Sequence, residues 1–376
     1  MTEDRTSCGG PRLFAAGSLG RCVRRLSLGV LLLAAVGCGG GAGELSEDPG
    51  KVNLAIGVDV GDLAAPQEGY ADAANDDEKM QTLRVVVVRP DGTIEHNRLL
   101  PKFAPTVRLD GTTLRPDGTK DDEWRTFKVV GGERKRIYLF VNEATELRFA
   151  DGTLHRVIDY DFGRRLVPGT FFPREEVEAL CMTPLESATQ QLEGPLPMTG
   201  CHDIWMPRED YACEKPLTVL RAAVKFTFLV KNDYGCDLSL TGLTLDRMAD
   251  RSWYLPRARY DGAGETTSFE VPVSVGYYVF RREHLRIALP EGKTTQLTPI
   301  YLFEGQYADP ADPRNYAMSI DLEGLRLGGY FENLKSLPRN THVVVRITLK
   351  QGQAMQWQAE VVPYGKVPLE PVFGLD

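Results

Sequence analysis

An all-β fold of the sandwich type is predicted by three observations. Short segments rich in Val, Ile, Leu, Phe and Tyr recur along the 376-residue chain, several of them alternating apolar with polar positions. Clusters of Gly, Pro, Asn and Asp separate these segments. No long stretch carries the 3.6-residue apolar period of an amphipathic helix. Many short strands with turn signals between them indicate packed β-sheets.

Residues 51–61 (KVNLAIGVDVG) alternate most cleanly. Val52, Leu54, Ile56, Val58 and Val60 share one side, and Asn53, Ala55, Gly57 and Asp59 share the other, as in a half-buried strand. A loop of small and acidic residues continues to Glu78, with Pro66 and Gly69 and neither Arg nor Lys. A second strand spans Met80–Val88, turns at Arg89-Pro90-Asp91-Gly92 and returns through Thr93–Asn97. Asp-Gly-Thr recurs at 91–93, 110–112, 117–119 and 151–153. These read as tight turns, because the other ligand positions of a calcium loop are absent. Glu133–Asn142 is a strong strand, residues 164–194 are less regular, and Pro173–Leu180 suits a short helix. Further strands are expected at Leu217–Val230, Leu238–Leu245, Thr267–Val273, Thr298–Phe303, Tyr316–Leu322, His342–Leu349 and Trp357–Val362. Loop-like sequence between Gly200 and Lys215 suggests a boundary between residues 51–212 and 213–376.

The first 37 residues read as an export signal. Arg21, Arg24 and Arg25 precede the apolar run 26–36, which is too short for a confident membrane span. Ala35-Val36-Gly37-Cys38 has the small-residue pattern after which a lipoprotein signal peptidase cuts, leaving Cys38 acylated. The alternative is an ordinary secretory signal with a Cys near its end. Residues 39–50 (GGGAGELSEDPG) would then be a flexible tether.

Composition narrows the function. A net charge of −8 is unsuited to nucleic acid or anionic headgroups. Cys181, Cys201, Cys213 and Cys236 remain after the signal region, an even number that suggests disulfides with three ways to pair. Their spacings fit no zinc pattern. There is no G-x-S-x-G, H-E-x-x-H, P-loop or C-x-x-C, and the five histidines adjoin no nucleophile in a recognisable motif. No catalytic residue, metal or cofactor is indicated, and an enzyme is not expected. Trp124, Trp205, Trp253 and Trp357 suit core or rim packing better than a sugar-stacking surface. Arg221 and Lys225 share one side of a strand and read as solvated or paired with carboxylates.

Several short motifs, in order, resemble the Bacteroidales fimbrillin superfamily, whose members build, anchor or tip type V pili. They are Asn75-Asp76-Asp77-Glu78-Lys79 before the strand Met80–Val88, Leu196-Pro197-Met198-Thr199-Gly200, and Leu217-Thr218-Val219-Leu220-Arg221-Ala222-Ala223-Val224-Lys225. Trp253-Tyr254-Leu255-Pro256, Ile300-Tyr301-Leu302-Phe303-Glu304, Leu337-Pro338-Arg339-Asn340-Thr341-His342 and Val361-Val362-Pro363-Tyr364 continue the series. The resemblance covers residues 51 to 376. It implies two tandem transthyretin-like β-sandwich domains and an outer-membrane lipoprotein at the cell surface. It also implies other fimbrial subunits as partners and a host protein or glycan as ligand. In stalk subunits of such a family a protease removes the first strand, and a strand from another subunit fills the groove.

Physical chemistry permits that scheme: a sandwich short of one strand exposes ladder groups and an apolar slot, and an incoming strand satisfies both. Val52, Leu54, Ile56, Val58 and Val60 have the period to fill such a slot, as donor or as native strand, or to form a plain edge strand. At the C-terminus Val367, Leu369, Phe373 and Leu375 share one parity and form a candidate donor strand. Pro368 and Pro371 cannot donate to a ladder and favour an edge strand there. Because residues 52–78 lack Arg and Lys, cleavage after Arg in the first loop is not available. An uncut chain suits an anchor or accessory subunit better than a stalk. The rival expectation is an outer-membrane lipoprotein that binds glycans.

Overall fold

Residues 51–60 form two strands where one is expected. β1 (Lys51–Ala55) and β2 (Val58–Val60) are separated at Ile56-Gly57, yet the alternation holds. Val52, Leu54, Ile56, Val58 and Val60 are all buried. The computed structural model describes residues 50–61, 75–100, 126–149, 151–260, 266–273, 277–306, 316–331, 334, 336–352 and 356–362. Gly37, Cys38, the expected signal, residues 39–49 of the expected tether, Trp124 and the candidate donor residues Val367, Leu369, Phe373 and Leu375 lie outside these residues.

A single 3-10 turn, Asp76–Glu78, leads into β3 (Leu83–Val88), whose six residues are all buried. Burial on both faces explains an unbroken Val run in place of alternation. β4 (Ile94–Leu100) returns after a turn in which Thr93 N–H donates to Asp91 Oδ1 and Gly92 takes a φ of 85°. The Asp151-Gly152-Thr153 turn repeats that geometry, with Gly152 at 86°. Positive φ is the reason each turn holds a glycine. β5 (Thr126–Val130) and β6 (Glu133–Val141) come next, then the hairpin β7 (Glu146–Arg148) and β8 (Leu154–Arg156). The helices are short: α1 (Phe162–Arg165) and α2 (Arg174–Glu178), the latter inside the expected segment.

β9 (Met198–Met206) and β10 (Tyr211–Ala212) occupy the stretch that reads as an interdomain loop, and β11 (Leu217–Arg221) opens the strand expected after it. β9 is a nine-residue strand inside a six-stranded sheet of order β2-β11-β9-β6-β3-β4. Its apolar signal is weak because only Met198–Gly200 and Met206 are buried, while the residues between are polar or partly exposed. A three-stranded sheet, β10-β1-β5, accompanies it.

The expected strand Leu217–Val230 is broken at Ala222-Ala223, both fully buried. β12 (Val224–Asp233) and β13 (Leu238–Ala249) are the long strands of the later sheets. β14 (Arg257–Tyr260) pairs with β15 (Thr266–Glu270); β16 (Tyr277–Arg282), β17 (Ile287–Leu289), β18 (Thr294–Gln296) and β19 (Ile300–Leu302) come after them. β20 (Gly305–Gln306), β21 (Ala317–Leu322), β22 (Leu325–Tyr330), β23 (Ser336–Leu337), β24 (Thr341–Lys350) and β25 (Gln356–Val362) complete the chain. One sheet runs β18-β12-β24-β25 with β19 also on β12; another runs β16-β13-β21-β22 with β17 also on β13. β12 and β24 lie parallel from Val224↔Thr341 to Asp233↔Lys350. The chain passes from one set of sheets to the other between Arg221 and Val224. One large apolar cluster, from Val52 to Leu349, continues through both sets of sheets, beside a small one of Leu229, Val344 and Val362.

The expected disulfides are not formed. Cys181, Cys201 and Cys236 are exposed free thiols, and Cys213 is a half-buried one. Burial pushes the Cys213 thiol up to about 11, so it remains protonated at neutral pH.

Candidate strand-exchange site

β1 is not an edge strand. It pairs antiparallel with β5 from Lys51↔Val130 to Ala55↔Thr126, and parallel with β10 at Leu54↔Tyr211 and Ala55↔Ala212. β2 pairs parallel with β11 through Val58↔Leu217, Asp59↔Thr218 and Val60↔Val219, and stands at the edge of its sheet. Between them, Leu217 N–H donates to Gly57 O at 2.8 Å and Cys213 N–H to Ala55 O at 3.0 Å. Asn53 donates through its main chain and side chain to Asp210, whose carboxyl is held below its ordinary range mainly by the Asn53 N–H. Residues 51–60 are therefore held by main-chain ladders and by five side chains in the core. Their covalent link to β3 and the later strands runs through residues 62–74.

Both ends of that connection meet one buried polar network. Gly61 O accepts from Asn340 Nδ2 at 2.6 Å. At the other end, the Glu78 carboxylate, fully buried, pairs with Lys225 Nζ at 2.7 Å and accepts from Tyr301 OH at 2.7 Å. Asn75 Nδ2 donates to the same hydroxyl at 2.9 Å. Arg221, also buried, donates to Glu78 O from Nε and Nη2 and reaches Asn340 Oδ1 from Nη1. Burial, then the hydrogen bond to Glu78, raises the Tyr301 hydroxyl pKa far above the phenol range, so it stays a donor. Arg221 and Lys225 are therefore not solvated; they are 1% and 2% exposed. Asn340 sits at φ 56°, a backbone region that Asn tolerates better than most residues.

A second buried pair lies alongside. Arg339 and Glu304 form an ion pair at 1% and 2% side-chain exposure. Arg339 also donates to Tyr254 O at 3.0 Å and Trp253 O at 2.6 Å, while Thr199 Oγ1 donates to Tyr254 O at 2.8 Å. The scattered sequence motifs thus converge here: Asn75 and Glu78, Thr199, Arg221 and Lys225, Tyr254, Tyr301 and Glu304, Arg339 and Asn340. Each motif is visible in the sequence but its purpose is not, because the partners lie far apart in the chain. Gly200 completes the first motif. A Cβ there would stand 2.3 Å from Thr218 O, so only glycine allows the carbonyl this close.

Two basic residues lie just beyond the connection. Lys79 is half exposed and pairs with Asp76, but its carbonyl is held by Asn142 Nδ2. Arg84 lies in β3, buried, with a two-point contact to Glu143 and a bond to Asn97. Cleavage after Arg84 would require opening the sheet.

The tryptophans divide. Trp205 is 58% exposed, Trp253 lies under Arg257 with the guanidinium 3.6 Å from a ring centroid, and Trp357 packs on Phe331. Among the described residues there is no cluster of three metal-ligating side chains and no helix long and apolar enough to cross a membrane.

No protein-family model matches the chain, and neither does any curated protein. Among solved structures, it is similar to a candidate cell adhesion protein from Parabacteroides distasonis, with a TM-score of 0.50 at 12% identity. That match covers 86% of this chain and 99% of the other. The two share a fold. The C-terminally truncated tip fimbrial protein from Porphyromonas gingivalis aligns at a TM-score of 0.48 and 10% identity, over 83% of this chain and 99% of that one.

Proposed function

We propose that this chain is a fimbrial subunit of the fimbrillin type, exported as a lipoprotein, tethered at Cys38 to the outer membrane and working by assembly, not by catalysis. The observation that carries the proposal is the seating of residues 51–60. A self-contained segment of period-2 apolar residues fills a slot between β5 and β10 and beside β11. A slot of this kind accepts an equivalent strand from a neighbour once its own is gone. The fold shared with a candidate adhesion protein agrees with a surface role. With no Arg or Lys in residues 52–78 and Arg84 locked in β3, the chain keeps its own strand and serves as an anchor or accessory subunit. It then contacts partners through another surface or through its C-terminal segment.

Mass spectrometry of the mature N-terminus, on protein taken from its native cell surface, tests this. Acylated Cys38 with residues 51–61 intact is the expected result. A start within 62–79 would place the chain among processed, polymerising subunits. An unacylated start would remove the anchor role.

A further inference from the structure

A second strand-sized opening lies elsewhere in the same sheet. β9 and β11 pair only at Thr199↔Leu220 and Met198↔Arg221. Two hydrogen bonds fix the direction of the remaining groups of β9. Ala222 N–H donates to Pro197 O on the β11 side, and Gly132 N–H donates to Met206 O on the β6 side, both at 2.8 Å. Alternation along an extended strand then aims the N–H and C=O of Cys201, Asp203 and Trp205 toward β11, where no strand of the described residues pairs with them. Across the gap, Leu217 and Val219 bond to the β2 side, so Thr218 faces β9, and its carbonyl meets the His202 ring at 2.7 Å.

A cavity of about 700 Å³ stands over this gap, between α2 and the segment Leu255–Ala258. Its charged lining is Arg136, Arg174, Lys215 and Arg257 against Glu175 and Glu178. Four cations face two carboxylates, in a chain whose net charge is −8. Arg136 is satisfied by Asp203 and Arg174 by Glu178, but no described carboxylate pairs with Lys215 or Arg257. Leu217, Leu220 and Phe269 supply apolar surface.

We propose that this groove docks an extended acidic segment of a separate protein chain, which adds as a strand to the free edge of β9. Main-chain bonds to Cys201, Asp203 and Trp205 supply affinity; Lys215 and Arg257 select for carboxylates. An unpaired strand edge is otherwise a liability that proteins cover. The site is distinct from the β1–β2 slot, and its occupant leaves β1 seated.

Amide hydrogen exchange on the full chain tests the proposal, with a short synthetic peptide of alternating Val and Glu as probe and its Val-Lys counterpart as control. The Glu peptide is expected to slow exchange at Cys201, Asp203 and Trp205, leaving β1 unchanged. The Lys215→Glu, Arg257→Glu double variant should weaken peptide binding about tenfold or more. Trp205→Pro removes an outward N–H without touching the β9–β6 ladder and should weaken binding while the melting curve stays in place. The proposal is overturned if those amides do not respond at saturating peptide, or if the Lys peptide protects them equally. Loss of protection at β1 would mean entry into the other slot and overturns it too. So does concentration-dependent protection without peptide, which would assign the groove to a second copy.

Discussion

The β1–β2 slot and the β9–β11 groove border the same six-stranded sheet and treat exposed ladder groups in opposite ways. The slot is filled by the chain itself: both edges of β1 are paired and Val52, Leu54, Ile56, Val58 and Val60 are buried. The groove is left open: among the described residues no strand pairs with the outer edge of β9 beyond Thr199, and its outward residues are Cys201, Asp203 and Trp205, all exposed. Side-chain polarity thus decides which opening the chain closes. An apolar row gains by displacing water from the slot. A row carrying the Arg136–Asp203 pair gains nothing from being covered by an apolar strand, since both charges would lose solvent.

Deleting residues 51–61 should have the largest effect on the filled slot. Five buried apolar side chains contribute about 1.5–3 kcal/mol each, enough to consume a typical net stability of about 5–15 kcal/mol. The truncated chain should oligomerise or lose its cooperative melt, and a synthetic peptide of residues 50–61 should restore it. A monomer that melts like the parent would show that β1 fills no structural slot. Next in size is Lys225→Met. It removes the Lys225 ammonium from the buried Glu78 carboxylate, and breaking a buried pair from one side costs about 3–5 kcal/mol. Adding Glu78→Gln should recover part of that loss in denaturant melts; no recovery would mean the two do not act as a pair.

Gly200→Ala is smaller, about 1–3 kcal/mol, because the new methyl must push Thr218 O away. Its effect should concentrate on exchange rates at the β9–β11 junction. A uniform change across the chain would contradict that placement.

The smallest effect is a pH step. His202 is half-buried by surface yet sits on the floor of a groove where protein surrounds it, and this burial holds its pKa below the ordinary 6.5. The unfolded chain therefore takes up the proton first as pH falls through 6.5, so stability declines on acidification until the folded pKa is passed. His202→Gln should flatten that step in melts taken between neutral and mildly acidic pH. An unchanged slope would place the titration on another group.

Strands buried on one face or both were legible from sequence: residues 51–60, β3, β6, β12 and β24 are long or regular enough to stand out. β9 was not, because its outer residues, Cys201 to Trp205, are polar or aromatic and only its ends are buried. The break at Ala222-Ala223 was hidden inside an unbroken apolar run, since small buried residues look the same in a strand and at a crossing between sheets.

The all-β class, the period-2 row at 51–60, the absence of basic residues in 52–78 and the ordered motifs are all readable along the chain, because each is a local property of neighbouring residues. Folding in three dimensions sets the rest: most of those motifs meet in two neighbouring buried polar clusters, Arg221 and Lys225 are inside, the four cysteines stay unpaired, and among the described residues nothing pairs with the outer edge of β9. Each of these depends on which distant segments meet: Glu78 on Lys225 and Tyr301, Asn340 on Gly61, Gly200 on Thr218. Periodicity reports which side of a strand faces inward, but not what waits there.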